Sequence, residues 1–127
     1  MSVAEAWPRV AVVIVNYRTP DLAVRCVRAL AAERTAVPDL EVIVVDGGSG
    51  DGSAERLAET LAAPELSGWV RLLPLPINGG FGWANNQAML RLLQHASPPD
   101  FIHLLNPDTV IEPGAVARLA EHLRRHP

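Results

Sequence analysis

Apolar runs of strand length recur along this chain, each leading into a polar turn and then an amphipathic segment. That alternation constrains the fold more than any other feature. The runs lie near residues 10–16, 40–45, 70–75 and 101–105, within VAVVIVNY, LEVIVVDGGSG, VRLLPL and FIHLLNPDT. Such runs, separated by segments of helical period, predict βαβ units and an open, mostly parallel, Rossmann-like α/β sheet with helices on both faces. A first helix is expected from Pro20, with Thr19 as N-cap and Asp21 in the first turn, turning Leu22, Cys26, Ala29 and Leu30 inward. A second follows Asp51 or Ser53 and buries Leu57 and Leu61. A third begins near Gly82 with Ala88, Met89, Leu92 and Leu93 inward, and a fourth opens at Pro113 with Val116, Leu119 and Leu123 inward. Residues 63–68 and 97–100 read as proline-bearing loops.

Composition narrows the function classes. A chain of 127 residues, 49% hydrophobic and 20% charged, fits one globular domain. Its net charge of -3 and the lack of any basic stripe beyond Arg124 and Arg125 argue against nucleic acid. Lysine is absent, so all 11 cationic side chains are arginine. That excludes a P-loop phosphate lysine, a Schiff base and Ser-Lys nucleophile activation. The lone Cys26 excludes an intrachain disulfide and reads as a core thiol in a reducing compartment. The opening MSVAEAWPR has no signal-peptide core and no apolar run is long enough to span a bilayer, so a cytoplasmic protein is expected.

Ligands of open α/β sheets bind in the crevice beyond the carboxyl ends of the strands. Here the first run ends at Asn16 and Tyr17, the second at Asp46, and the last at Asp108, which Pro107 fixes. If the first strand is central, with the second and fourth beside it, Tyr17, Asp46 and Asp108 converge. They would offer an aromatic face, an acceptor for a base N–H and a hard oxygen ligand. Those are the needs of a nucleoside diphosphate held with Mg2+ or Mn2+, which takes one or two carboxylates plus phosphate oxygens. Plainer alternatives stand beside each: an Asx-turn or helix cap for Asp46, and an N-cap for Asp108. The turn from Gly47 to Ser53 could cradle phosphate, yet the Rossmann glycines belong after the first strand, where this chain has NYRTPD. The nucleophile elbow G-x-S-x-G fails as well, because Asp51 follows Gly50.

The second glycine cluster, INGGFGWANNQAM, permits close backbone approach through its glycines and brings Asn85 and Asn86 to a helix start. The alternative is a loop with a capped helix. His103 reads as a strand residue rather than a ligand. His122 and His126 have the spacing of a metal pair but lack a third ligand, and read as a solvated helix end.

Taken together, VAVVIVNYRTPD, VIVVDGGSGDGS, NGGFGWANNQAM and LLNPDTVIEPGA resemble the nucleotide-sugar-binding half of family 2 glycosyltransferases of the GT-A fold, especially the bacterial rhamnosyltransferase-like branch. The motifs stand in the family's order over nearly the whole chain after Arg9. The resemblance implies strand order 3-2-1-4 and transfer of a sugar from a uridine- or thymidine-type nucleoside diphosphate to an acceptor hydroxyl, as in cell-wall polysaccharide synthesis. By that likeness Tyr17 stacks near the base, Asp46 helps hold the nucleoside, Asn86 faces the donor and Asp108 is the metal-binding aspartate. The expected contact set is Asn16, Tyr17, Asp46, Gly80, Asn86 and Asp108, with Mg2+ or Mn2+ on Asp108. Two positions depart from the pattern: Gly47 stands where relatives usually carry Asp or Asn, and Asn106 replaces the first Asp of D-x-D.

Relatives also possess an acceptor half with a carboxylate base, and after Asp108 this chain offers only Glu112 and Glu121. Residues 1–9 therefore read as a tail and 10–127 as a nucleotide-sugar-binding domain ending before the part that would meet a saccharide or lipid-linked acceptor. Two rival classes share some features. A receiver-type phosphoacceptor domain would want a lysine and further acids beside the first strand. A noncatalytic nucleotide-binding or assembly module is the other alternative.

Overall fold

The structure, a computed structural model, describes residues 8–127. Most of the expected tail therefore lies outside the described residues. Arg9 is already tied into the fold, its backbone N–H donating to Asp100 Oδ2 at 2.7 Å and its guanidinium to the Ser97 carbonyl at 2.8 Å.

Four parallel strands form one sheet in the order β3-β2-β1-β4. They are β1 (Val10–Asn16), β2 (Glu41–Asp46), β3 (Val70–Pro74) and β4 (Phe101–Leu105). β1 is central and wholly buried, which is why its sequence is an unbroken apolar, mostly β-branched run up to Asn16 rather than an alternating one. The helices are α1 (Pro20–Leu30), α2 (Ser53–Leu61), α3 (Pro64–Ser67), α4 (Phe81–Leu93) and α5 (Ala115–Arg125), with a 3-10 turn at Ala31–Thr35 after α1.

Strand parity divides the core in two. Val10, Val12 and Ile14 of β1, with Val42 and Val44 of β2, pack against α1, α2 and α5 through Cys26, Val27, Leu57 and Val116. Ala11, Val13 and Val15, with Ile43 and Val45, pack against Ala84, Ala88 and Leu92 of α4. The expected fold class and strand order are thus observed, with helices on both faces.

Details of the helices differ from the sequence reading. α1 buries Ala23 and Val27 beside Cys26 and Leu30, whereas Leu22 is only half-buried. Thr19 makes no side-chain cap; its hydroxyl donates instead to Asn16 Oδ1 at 3.2 Å. α5 turns Val116 and Ala120 inward, leaving Leu119 and Leu123 exposed. α3, a single turn, forms inside the segment read as a loop, where Leu66 is buried.

Candidate functional site

A cleft of about 560 Å3 opens at the carboxyl ends of the strands, on the side of the sheet that carries α4. Its size suits a small-molecule site. Val15 and Tyr17 line it from β1 and the turn beyond, Thr19 and Leu22 from the start of α1, and Gly47 from the turn after β2. Asn78, Gly80, Phe81 and Ala84 line it from the β3–α4 loop and the first turn of α4, and Asn106, Pro107 and Asp108 from the turn after β4.

Two glycines allow close packing here, Gly48 between turns and Gly79 against the start of α4. Gly48 has φ +73, and a Cβ built there would lie 2.3 Å from the Ile77 carbonyl carbon and 2.5 Å from the Asn78 nitrogen. The turn after β2 is thereby docked onto the β3–α4 loop. A Cβ at Gly79 would sit 2.4 Å from the Trp83 ring. Gly80 is not crowded; its φ of +95 bends the chain into α4, while its N–H donates to Asn78 Oδ1 at 3.0 Å.

The sequence-predicted residues separate into two groups. Tyr17, Gly80 and Asp108 line the cleft. Tyr17 is 41% exposed. Asp108 is exposed, on a turn closed by the Thr109 N–H donating to the Asn106 carbonyl at 3.0 Å. No side-chain hydrogen bond or ion pair among the described residues engages its carboxylate. Asn16 and Asp46 lie beneath, fully buried and paired in register. Asn16 Nδ2 donates to Asp46 Oδ1 at 3.0 Å, and Asn16 Oδ1 accepts the Thr19 N–H at 3.0 Å. Asp46 Oδ1 also accepts the Ser49 hydroxyl at 2.7 Å, and Oδ2 accepts the Ser49 N–H at 3.3 Å. Both carboxylate oxygens are thus used inside the protein. Asn86 is exposed on α4 and does not line the cleft, while its neighbour Asn85 is buried and donates to the Phe81 carbonyl at 3.1 Å.

Gly47 contributes no side chain to the cleft. A Cβ there would meet the Asn16 carbonyl at 3.4 Å and Val15 Cγ1 at 3.7 Å, ordinary contacts, so a side chain is sterically permitted. Cys26 lies under the turn after β4, its thiol facing the Asn106 carbonyl oxygen at 3.8 Å. Burial pushes that thiol up to about 11, with the neighbouring Arg25 opposing and Asp108 adding to the shift.

His103 sits on β4, half-buried, with a buried Nδ1 that has no partner, and burial lowers its pKa below the ordinary histidine value. It does not line the cleft. The His122 and His126 rings lie 4.6 Å apart at the end of α5, and no group of three metal-ligating side chains exists among the described residues.

Sequence reasoning missed several cleft residues. Leu22 and Phe81 are apolar side chains at helix starts, where periodicity marks core and not site. Asn78 sits in a turn where asparagine needs no functional cause. Arg18 does not line the cleft, but its guanidinium carbon stands 5.0 Å from the ring centroid of Tyr17, which does, and NYRTPD gives no local signal of that contact.

Comparison with known proteins bears on the family and the fold. The family described as Glycosyl transferase family 2 matches residues 11–127. No curated protein sequence gives a significant match. Among solved structures, the chain is similar to the mannosyltransferase PcManGT from Pyrobaculum calidifontis, in complex with GDP-Man and Mn2+, with TM-score 0.70 and 23% identity over 95% of this chain and 33% of that one. It is also similar to S. aureus TarS 1-349, with TM-score 0.72 and 21% identity over 93% of this chain and 33% of that one. The same TarS fragment in complex with UDP-GlcNAc gives TM-score 0.71 and 22% identity, over 93% of this chain and 32% of that one. At these identities the likeness establishes a shared fold, and the chain spans about a third of the length of these structures.

Proposed function

The chain belongs to glycosyl transferase family 2, and from that premise we propose that its cleft holds a nucleoside-diphosphate sugar together with a divalent cation, as the donor-binding part of a sugar transferase of the rhamnosyltransferase-like branch. One observation carries the reading: a carboxylate without an internal partner, Asp108, and a half-exposed aromatic ring, Tyr17, line the same cleft at the strand ends.

The residues present fit a cation that arrives with its substrate. Mg2+ and Mn2+ favour oxygen ligands and accept one or two carboxylates when phosphates supply the rest. Asp108 provides one such ligand, and the side-chain amide of Asn106 lies on the same turn. When bound, the cation neutralises charge that develops on the departing diphosphate. The chain's own residues do the remaining work. Tyr17 gives the base a flat surface, the N-terminal turn of α4 beyond Gly80 points free backbone N–H groups at the diphosphate, and Leu22 and Phe81 exclude water beside it. Asp46 serves from below by fixing the turn that carries Gly47. Asn86 keeps a place in the reading only if the sugar extends past the mouth of the cleft. Base preference for uridine or thymidine rests on Tyr17 and on the family likeness, and Gly47, which brings no side chain to the cleft, should blunt it. PcManGT was solved with GDP-Man and TarS 1-349 with UDP-GlcNAc, so the shared fold admits either base class.

Calorimetry with uridine, thymidine, guanosine and adenosine diphosphates, each with and without Mn2+, tests the proposal. The expected result is Mn2+-dependent binding with the pyrimidine nucleotides ahead. Asp108→Ala removes the Mn2+ dependence while leaving the melting temperature within a degree or so of wild type, because no internal bond is lost. Metal-independent binding by the wild-type chain, or equal loss of stability in Asp108→Ala, would overturn the metal assignment. Purine preference would overturn the base assignment alone.

A further inference from the structure

Arg18 is the one non-glycine residue with a positive φ, +60, among the described residues. A long side chain seldom occupies the left-handed region unless its surroundings hold it there. Here Ser49 does so twice. The Arg18 N–H donates to Ser49 Oγ at 2.9 Å, and Arg18 Nε donates to the Ser49 carbonyl at 3.1 Å. Ser49 is itself 1% exposed, and its hydroxyl donates to Asp46 Oδ1 at 2.7 Å. One hydroxyl thus donates once and accepts once, linking a buried carboxylate to the backbone of an exposed arginine.

The consequence lies at the other end of the arginine. Its guanidinium stands over the Tyr17 ring, 5.0 Å from the centroid. Tyr17 is the sole tyrosine of the chain and lines the cleft. An aromatic side chain on a turn beyond a strand end is otherwise free to rotate about χ1. A cation over one face restricts that freedom, modestly at an exposed site, and the ring lines the cleft.

We propose that Arg18 is a positioning residue for nucleoside binding: held by Ser49 and Asp46, it fixes the Tyr17 ring as a wall of the cleft before the base arrives. The proposal rests on the nucleotide-binding reading given above. It also gives the buried Asp46 a part in recognition, exerted through Ser49 and Arg18 without touching the ligand.

Arg18→Gly separates positioning from structure. Glycine suits a φ of +60 better than arginine does, so the variant should melt at or above the wild-type temperature. Its affinity for uridine diphosphate with Mn2+ should fall about three- to fivefold, since the ring must be ordered by the ligand itself. Affinity for inorganic pyrophosphate with Mn2+ should stay within about twofold, because pyrophosphate has no base to stack. Arg18→Lys, which keeps the charge but loses the planar group and the Nε–H, should fall between.

A second readout needs no nucleotide. With a single tyrosine, ring-labelled protein gives one set of aromatic NMR signals, and wild type should show a nuclear Overhauser contact between them and the Arg18 side chain. Arg18→Gly should shift and narrow those signals toward free-tyrosine values. An unshifted ring signal overturns the proposal. So does a parallel loss of pyrophosphate affinity, which would make Arg18 a charge on the diphosphate, or a fall in melting temperature matching the loss of binding, which would make it structural. Absence of nucleotide binding by the wild-type chain would refute the functional reading instead, and the ring signals would still decide whether Arg18 sets Tyr17.

Discussion

Replacing Gly48 by alanine tests whether the cleft is assembled by backbone contact between two turns. Two costs are expected, and a second glycine separates them. At Gly52, φ is +90 and a Cβ would meet nothing within 4 Å, so alanine there carries only the conformational cost. That cost is about 1–2 kcal/mol for an L-residue in the left-handed region, reduced by about 0.4–1 kcal/mol because alanine also restricts the unfolded chain. The net for Gly52→Ala is therefore about 1 kcal/mol. At Gly48, φ is +73 and the added Cβ would lie 2.3 Å from the Ile77 carbonyl carbon and 2.5 Å from its oxygen. Backbone cannot yield as a flexible side-chain tip can, so an overlap term of about 1–3 kcal/mol adds to the first. Gly48→Ala should thus cost about 2–4 kcal/mol. For a chain of this size about 3–5 °C of melting temperature goes with each kcal/mol. The expected drops are then about 4 °C for Gly52→Ala and about 8–16 °C for Gly48→Ala. Urea unfolding with matched slopes would exclude a change in the denatured state as the source. The β3–α4 loop carries Asn78 and Gly80 into the cleft, so Gly48→Ala should also weaken nucleotide binding when measured well below its melting temperature, while Gly52→Ala should not. Equal destabilisation by the two substitutions would refute the claim that Gly48 is there for close approach.

Glu33→Ala should destabilise the chain by about 2–4 kcal/mol in denaturant titration, because the buried Glu33 carboxylate accepts the Gly114 N–H at 2.9 Å and the Val116 N–H at 3.0 Å at the start of α5. Glu33→Gln, which keeps one acceptor, should lose less. His103 is held below the ordinary histidine pKa by burial, so the unfolded chain takes up a proton first as pH falls. Stability from that group is complete above the ordinary value of about 6.5 and declines as pH drops toward the lowered one; urea midpoints should fall with acidification in wild type and less so in His103→Leu. Cys26, raised to about 11 by burial, should react with a thiol reagent at neutral pH only after unfolding. Mn2+ titrated against the chain alone should bind far more weakly than in the presence of a nucleoside diphosphate, with a reciprocal tightening of the nucleotide, because Asp108 stands without a second carboxylate in the cleft.

The sheet was legible because its central strands carry their signal locally: VAVVIVN and EVIVVD are β-branched runs that only a doubly covered strand uses. The strand order was not local information and came from family likeness. The rotation of α5 was hidden for the same reason. Val116 and Ala120 are buried while Leu119 is 51% exposed, because Glu33 grips the helix start from a position 81 residues upstream of Gly114. No window of sequence contains both ends of that contact. Asp46 illustrates a subtler loss. Side chains alternate along a strand, and Asn16 and Asp46, in register, have the parity of Ile14 and Val44, which face α1 and α2. The cleft lies on the other side, with Val15. Parity alone therefore separates Asp46 from Tyr17, although both end adjacent strands.

The polar residues at the strand ends thus perform two tasks that one side chain cannot perform at once. A buried carboxylate is tolerated only when it is hydrogen-bonded, and Asp46 takes three such bonds from Asn16 and Ser49. Those three bonds engage both of its oxygens within the protein and tie down the turn from Asp46 to Ser49. Asp108 has the opposite balance: exposed and without an internal partner, it costs nothing to keep in water and can surrender its hydration to a cation. A rim built only of such free groups would have to be ordered by its ligand, at a cost in affinity for every side chain immobilised. A rim built only of satisfied ones would bind nothing. The chain sets the satisfied layer below and the free layer above, joined where Ser49 holds Arg18 and Arg18 covers Tyr17.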